Sequence, residues 1–311
     1  MWTFIRNNGI ALTAGLAAVL ASGQTLAAEN WTPHLPGVTE GLPAGALPPP
    51  GFYFLNTTMV APFSLYDNNG DTNGVKADIF VDVPMLLWNP GVKVLGADYA
   101  VGVAQPITHV SASGGGLDES SWGLFQTILM PAKLAWQLPA DFHVSAGLAV
   151  YVPDGTAQKT VISYQNGTYR GVPNSTNYWA LEPSLGISWL HDGWNVSASF
   201  NYDINFKNQD SGYTSGNALV GDYTITKAIG AWTVGVGGYS VNQLEDDKSE
   251  VAAIQAGINA ADGNRQTKYA AGPIVGYDFG KASVTAYYNH GFGAKNVLSG
   301  DTLWTRLVVP F

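Results

Sequence analysis

Residues 194–208, WNVSASFNYDINFKN, alternate apolar or aromatic side chains with polar ones throughout. Because successive side chains of a β-strand point to opposite faces, this run predicts a strand with one apolar and one polar face. A soluble antiparallel sheet can also hold such a strand, with its polar face in water. The pattern alone therefore leaves open whether the apolar face meets a protein core or lipid.

The same alternation recurs along most of the chain and predicts a series of strands. It is clear in FHVSAGLAVYV (142–152), in YWALEPSLGISWL (178–190) and in ASVTAYYNHGF (282–292). The predicted strands are 51–66, 75–88, 92–106, 121–137, 142–153, 178–190, 194–208, 216–229, 232–246, 265–279, 281–294 and 303–311. The sequence therefore predicts an all-β chain of twelve strands.

The connections between these strands are of two kinds that alternate. Tight turns are predicted at 89–91, 138–141, 191–194, 229–232 and 279–281, and longer polar loops at 67–74, 107–120, 154–177, 209–215, 247–264 and 295–302. In an antiparallel up-and-down sheet every second connection lies at the same end. One end is then tight and the other elaborate, which is the plan of a transmembrane outer-membrane β-barrel with short periplasmic turns and long external loops.

The two faces of the predicted strands fit this plan. Trp179 and Trp189 share the apolar face, ten residues apart, which corresponds to about 25 Å along the membrane normal, the height of a lipid-facing band. The residues predicted to line the lumen and the permeation path are Asp78, Asp82, Asp98, Lys133, Glu182, Asp203, Lys207, Asp222, Lys268, Asp278 and Arg306. A protein core could not hold so many charges. We therefore expect the apolar face to meet lipid and the polar face to line a lumen.

Composition supports this interpretation. Only 12% of the residues are charged, about half the usual fraction in soluble domains. The net charge of −9 argues against nucleic acid as a partner, and the absence of cysteine excludes disulfides. No run of about 18 apolar residues follows the N-terminal region, so no transmembrane helix is predicted.

Both ends of the chain carry signals of export. Residues 1–28 have a positive start at Arg6, a short apolar run and small residues near Ala27 and Ala28, which predicts a cleaved signal peptide. An uncleaved anchor is the alternative. At the other end, LWTRLVVPF stops at an aromatic residue and resembles the C-terminal signature that the barrel assembly machinery reads. The expected organisation is signal peptide 1–28, N-terminal segment 29–50 and barrel 51–311.

The segment at residues 29–50, ENWTPHLPGVTEGLPAGALPPP, does not belong to the wall. Its six prolines exclude a helix or a central strand and predict an extended path. It is either a disordered periplasmic tail or a segment that enters the lumen from the periplasmic end, and its apolar residues favour the lumen. There it is predicted to form an apolar patch for a small hydrophobic ligand with the following residues: Trp31, Leu35, Phe52, Phe54, Phe80, Leu86 and Trp88.

A family resemblance rests on two motifs and on the rhythm of the mature chain. The join PPPGFYFLNTTMVAP (48–62) and the acidic second strand KADIFVDVPMLLW (76–88) resemble the outer-membrane channels of the phenol meta-degradation pathway family. The resemblance implies uptake of small aromatic or hydrophobic molecules through a barrel. It implies no particular ligand residues.

Motifs that could carry other chemistry are few. His143 and Ser145 have the spacing of an outer-membrane phospholipase pair, but their phase places both in the lumen rather than towards lipid. Asp67, Asn69 and Asp71 resemble a calcium loop with misplaced glycines, which an ordinary turn also explains. No spacing typical of a metal site occurs. We therefore expect no catalytic residues, no metal and no cofactor.

The sequence thus favours an outer-membrane channel for passive uptake of small molecules. A barrel enzyme acting on lipid and a surface adhesin are the alternatives. The expected partners are outer-membrane lipid, a small permeant and the assembly machinery, and the expected state is a monomer. Mixed lumen charges predict a weak cation preference.

Overall fold

The computed structural model describes residues 32–114, 117–156, 174–176 and 178–311. Its strands are β1 (Gly51–Tyr66), β2 (Thr72–Asn89), β3 (Lys93–Val94), β4 (Ala97–Ala104), β5 (Ile107–Gly114), β6 (Leu117–Leu124), β7 (Thr127–Gln137), β8 (Phe142–Val152), β9 (Ala180–His191), β10 (Trp194–Asn205), β11 (Tyr213–Thr214), β12 (Ala218–Ile229), β13 (Trp232–Gln243), β14 (Lys248–Ser249), β15 (Thr267–Asp278), β16 (Ser283–Lys295), β17 (Val297–Gly300) and β18 (Thr302–Pro310). One α-helix, α1 (Ala252–Ala260), and a 3-10 turn at Asp262–Asn264 lie between β14 and β15.

The strands close into an antiparallel barrel with twelve wall strands among the described residues. Two of the wall strands are interrupted, one as β4 and β5 and the other as β6 and β7, and β17 with β18 forms the last. The barrel closes where β18 and β17 pair with β1, with Thr58 opposite Thr305. The short β3 pairs with β4, and β11 pairs with β14 in the external loops. The predicted fold class is confirmed.

Two predicted loops contain regular structure. Residues 107–120 are predicted as a loop, but β5 and β6 pair from Ile107 opposite Leu124 to Gly114 opposite Leu117, as a hairpin that continues the wall, because β5 also pairs with β2. The hairpin begins after the break between β4 and β5 at Gln105 and Pro106, and the Phe125 N–H donates to the Pro106 carbonyl at 2.9 Å. The loop 247–264 contains α1. The α1 sequence, AAIQAGINA, lacks strand-like alternation, and the hairpin lies in a stretch rich in serine and glycine, so the sequence pattern did not indicate either element.

The lipid-facing side is clear on β9 and β10. Leu185 and Ile187 are exposed, while Glu182 and Ser188, at even-numbered positions of the same strand, are buried. On β10, Asn201 and Asp203 are buried, and their apolar neighbours lie on the outer face. At the periplasmic end, Phe52 stacks on Trp88 and on Phe311 with ring centroids 5.4 and 6.0 Å apart, as in an aromatic girdle. The predicted phase of these two strands is confirmed.

The predicted phase of β1 and β2 is wrong. Phe52, Leu86 and Trp88 are 43–49% exposed on the outer face, and Phe54, Phe80, Asp78 and Asp82 share their parity. The inward face consists of the residues of the other parity, including Met59, Phe63, Ile79 and Val81, which are buried. Both faces of these strands are largely apolar, so polarity did not distinguish them. Asp82 is tolerated outside because Asn56 and Thr58 donate to it at 2.8 and 2.7 Å.

Depth in the membrane gives a test of the wall. Phe200 lies in the middle of β10, opposite Leu185 and Gly221, and Phe206 follows the external end of the same strand. We expect Phe200→Arg to destabilise the barrel by about 2–4 kcal/mol, because a charge at the bilayer midplane is costly, and Phe206→Arg by about 0–1 kcal/mol. Unfolding by denaturant in lipid vesicles measures both. Equal losses would contradict the placement of Phe200 in lipid.

The external loops are held together by a buried carboxylate. Asp247 accepts from the Gly216 N–H and Gln243 Nε2, both at 2.7 Å, and from Asn264 Nδ2 at 2.9 Å, and the Tyr213 hydroxyl donates to it as well. Burial raises the pKa of the Asp247 carboxyl, although these four donors oppose the rise.

Among the described residues no helix is long and apolar enough to cross a bilayer.

Candidate functional site

Residues 32–50 lie inside the barrel, and we call them the luminal segment. The segment is not extended as predicted, because successive turns shorten it: the N–H groups of Val38, Glu40 and Leu42 donate to carbonyls three residues earlier at 3.0–3.2 Å. Gly37 and Gly41 have φ angles of 93° and 81°, which reverse the chain between prolines. Prolines prevent a helix, but they permit tight turns. The prediction that the segment enters the lumen holds for residues 32–50.

Asp222, on the inward face of β12, anchors the middle of the luminal segment. Its Oδ1 accepts from the Gly37 N–H at 2.8 Å, and its Oδ2 accepts from the Thr39 N–H at 3.0 Å and the Thr39 hydroxyl at 2.6 Å. One turn further on, the Gly41 N–H donates to the Thr224 hydroxyl at 2.8 Å. Hydrogen bonds to an ionised acceptor are stronger than neutral ones, so Asp222 is the principal anchor.

His34 anchors the upper end of the segment. Its Nδ1 lies 3.1 Å from Glu182 Oε2, and its Nε2 lies 3.5 Å from Asp222 Oδ2. The backbone N–H of His34 donates to Asp203 Oδ2 at 3.4 Å. The same Nε2 also lies 3.3 Å from Asn201 Nδ2. The His34 side chain of the luminal segment is thus surrounded by three acids of β9, β10 and β12.

The periplasmic end of the segment contacts the wall backbone directly. The Gly45 N–H donates to the Ser188 hydroxyl, and the Ser145 hydroxyl donates to the Ala44 carbonyl, both at 2.8 Å. A Cβ atom on Gly186 would lie 2.2 Å from the Ala44 carbonyl oxygen, so only glycine permits this approach. Ser188 and Glu182 lie six residues apart on β9, so the segment rises through the lumen by about 15 Å.

Arg306, on β18, holds the segment from the opposite side. Its Nη1 donates to the Glu40 carbonyl at 2.5 Å, and its Nη2 donates to the Val38 carbonyl and, at 2.9 Å, to the Tyr287 hydroxyl. Its Nε donates to the Thr57 hydroxyl of β1 at 3.1 Å. The Glu40 side chain is fully buried, and Asn289 donates to it at 2.8 Å.

The interior of the barrel has two unlike sides. The polar wall comprises the buried residues of β9, β10 and β12 that face the luminal segment: Glu182, Ser188, Ser197, Asn201, Asp203, Asp222 and Thr224. The apolar wall comprises the buried inward residues of β1, β2 and β5: Met59, Ala61, Phe63, Ala77, Ile79, Val81, Val83, Val110 and Ala112. Leu35 and Val38 of the luminal segment pack against the cluster that contains the apolar wall. The segment therefore covers the polar wall and adds two apolar side chains to this cluster.

The predicted lumen residues divide into two sets. Five of them are buried and face inwards: Glu182, Asp203, Asp222, Lys268 and Arg306. Lys133 also lies inside, where its side chain would contact a Cβ atom built on Gly147. The other five lie outside the lumen. Asp78 and Asp82 are on the outer face of β2, and Asp98 pairs with Lys93 at the periplasmic end. Lys207 pairs with Glu250 in the external loops, and Asp278 caps a periplasmic turn. The alternation of apolar and polar residues continues past the ends of the wall strands, so the predicted set included residues that lie outside the lumen.

The predicted apolar patch is only partly correct. Leu35 is inside, but Phe52, Phe54, Phe80, Leu86 and Trp88 face outwards, and Trp31 lies outside the described residues. The inward apolar surface exists, and its members are the neighbours of the predicted ones. His34 and Glu40 were not singled out from the sequence. The sequence did indicate their importance, because they are the charged residues of an otherwise uncharged stretch from Trp31 to Pro50.

The other motifs have structural roles. The Ser145 hydroxyl is committed to the Ala44 carbonyl, and His143 Nδ1 lies 3.2 Å from the Asp141 carbonyl. Asp67 accepts from the N–H groups of Asn69 and Asp71 at 2.8 and 3.0 Å, which lowers the pKa of its carboxyl and closes an ordinary turn. Among the described residues no group of histidine, aspartate or glutamate side chains could hold a metal ion.

The fold is similar to that of a solved outer-membrane channel. A crystal structure of an outer membrane channel from Pseudomonas putida F1 aligns over 86% of this chain and 98% of its own, with 15% identity and a TM-score of 0.70. The translocator domain of the autotransporter NalP from Neisseria meningitidis aligns over 96% of this chain and 98% of its own, with 10% identity and a TM-score of 0.48. No curated protein sequence matches the chain.

The family comparison is more specific than the likeness of folds. The model of the family described as "Putative MetA-pathway of phenol degradation" matches residues 63–307. This range spans the wall from β1 to the Arg306 position on β18. The resemblance noted from the first two strands is therefore confirmed, and the chain belongs to this family.

Proposed function

We propose that the protein is an outer-membrane channel for the uptake of small hydrophobic or aromatic molecules. The observation that carries this proposal is the division of the lumen into two sides. The luminal segment covers the polar wall, where it takes up the hydrogen bonds of Asp222, Asp203 and Ser188. The side of the lumen opposite the polar wall is apolar. An apolar permeant would pass between this side and the luminal segment, because apolar surroundings with few polar groups favour apolar ligands.

The family name supports the same class of permeant, since it concerns phenol degradation. A channel for hydrophilic solutes would leave charged side chains along its free path. Here the polar residues of β9, β10 and β12 are occupied by the luminal segment, so they are not available to hydrate a passing solute.

Uptake by whole cells tests the proposal. Gram-negative cells that express the protein should take up the aromatic dye N-phenyl-1-naphthylamine faster than cells without it, while entry of hydrophilic nitrocefin should change little. Val81→Asp, which places a charge on the apolar wall, should slow dye uptake, because burying an unpaired carboxylate there repels an apolar permeant. Ile187→Val, on the outer face, is the matched control and should not.

A larger gain for nitrocefin than for the dye would instead indicate a hydrophilic pore. Export through the predicted signal peptide at residues 1–28, which lie outside the described residues, and a monomeric state complete the proposal. Recognition of the final strand by the assembly machinery belongs to it as well.

A further inference from the structure

Lys268 is a buried cation near the external end of the lumen. It is the second residue of β15 (Thr267–Asp278), faces inwards and is 8% exposed. The pairing of β15 with β16 shifts register between Thr267 and Tyr269, so Lys268 lies at a β-bulge. Bulges change the direction of a side chain and are frequent beside functional sites.

The Lys268 ammonium has few partners for a buried charge. Its Nζ lies 3.5 Å from the Leu298 carbonyl oxygen and 5.4 Å from the centroid of the Phe63 ring. An ammonium group has three donors, and a bond of 3.5 Å satisfies one of them poorly. Arg306, another buried cation of the lumen, donates to four partners at its three nitrogens.

No carboxylate within the described part of the chain pairs with this ammonium. None of the ion pairs among the described residues includes Lys268. Burying a charge without a partner is costly, so an anionic ligand would stabilise the Lys268 ammonium.

The surroundings of Lys268 restrict what that partner can be. Phe63, whose ring lies beside the ammonium, belongs to the apolar wall, and Val241 opposite Lys268 is fully buried. A cation at the outer end of an apolar surface matches a molecule with an anionic head and an apolar body. The head would pair with Nζ, and the body would lie along the apolar wall towards the periplasm.

We propose that Lys268 binds the carboxylate of an amphipathic permeant, such as a medium-chain or aromatic monocarboxylate, as it enters from outside. This inference rests on the proposed function and narrows its substrate class. Because Lys268 lies near the external end of β15, it would hold the head group while the apolar body reaches Phe63 and the residues below. A charge-assisted pair in this position would select the acid over the alcohol of equal length.

Equilibrium dialysis of the full-length protein in lipid nanodiscs, with empty nanodiscs as blanks, tests the inference. The probes are radiolabelled octanoate and octan-1-ol. We expect the wild type to bind octanoate more tightly, Lys268→Met to weaken octanoate binding about tenfold or more, and octan-1-ol binding to stay unchanged. Lys268→Arg should retain octanoate binding, and so should Lys207→Met, the matched control in the exposed pair with Glu250.

Equal octanoate affinity in the wild type and Lys268→Met would overturn the inference. So would a wild type that binds octanoate no better than octan-1-ol, a result that needs no variant and therefore does not depend on whether Lys268→Met folds. If either result came with normal uptake of N-phenyl-1-naphthylamine, the proposed function would stand and the acid selectivity would fail. Loss of dye uptake as well would reject both.

Discussion

Deleting residues 29–47 is expected to leave a folded barrel whose single-channel conductance is several times that of the wild type. Every wall strand survives the deletion, because β1 begins at Gly51. The luminal segment fills the space between the polar and apolar walls over about 15 Å of the lumen. Its removal returns Asp222 and Ser188 to water and opens a path along them. Recordings in planar lipid bilayers measure the change.

A control distinguishes a widened lumen from a disturbed periplasmic rim. Replacing both Lys93 and Asp98 by alanine removes an exposed ion pair at the rim without touching the luminal segment. Its conductance should equal that of the wild type, since exposed pairs contribute little. A deletion variant that folds, as judged by heat-modifiable migration, and conducts like the wild type would contradict the occlusion of the lumen.

Asp222→Ala is expected to release the luminal segment without removing it. The variant loses the acceptor of the Gly37 N–H, the Thr39 N–H and the Thr39 hydroxyl. Buried donors left without a partner cost about 1–3 kcal/mol each, and an undocked segment satisfies them with water. The docked state should therefore lose stability, and bilayer recordings should show transitions between a low and a high conductance. Proteases should cut residues 32–47 in the folded variant.

Two further variants serve as comparisons for Asp222→Ala. Asp222→Asn keeps an acceptor oxygen and should show a smaller effect, because a neutral acceptor binds N–H groups less strongly than a carboxylate does. Asp278→Ala removes an acid from a periplasmic turn, where its carboxylate caps the Gly280 N–H, and should behave as the wild type. Steady low conductance and full protease resistance in Asp222→Ala would show that Asp222 is not the principal anchor.

The predicted phase was correct where the two faces of a strand differ in polarity. On β10 the residues Asn201 and Asp203 could only face inwards, because lipid does not solvate them. On β1 and β2 both faces are apolar, since the interior there packs against protein rather than water. Asp82 misled the assignment, because its compensation by Asn56 and Thr58 depends on the pairing of two strands. Polarity reports the surroundings of a face, and a partly filled barrel has apolar surroundings on both sides.

The candidate site was predictable in composition but not in geometry. Prolines and apolar residues placed the segment before β1 in the lumen, and Asp222 and Arg306 were assigned to the lumen from their alternation. The contacts between them were not accessible, because Gly37 and Asp222 are 185 residues apart in the sequence. The turns at Gly37 and Gly41 were missed because proline content alone does not distinguish an extended path from a series of tight turns.

The position of Arg306 has a consequence for the order of assembly. Arg306 lies on the last strand, and its guanidinium bonds Thr57 on the first strand as well as the carbonyls of Val38 and Glu40. The side chain that joins the first and last strands of the barrel is thus the same one that binds the luminal segment. These contacts are complete only when the last strand has paired with the first, so closure of the barrel also fixes the luminal segment in place.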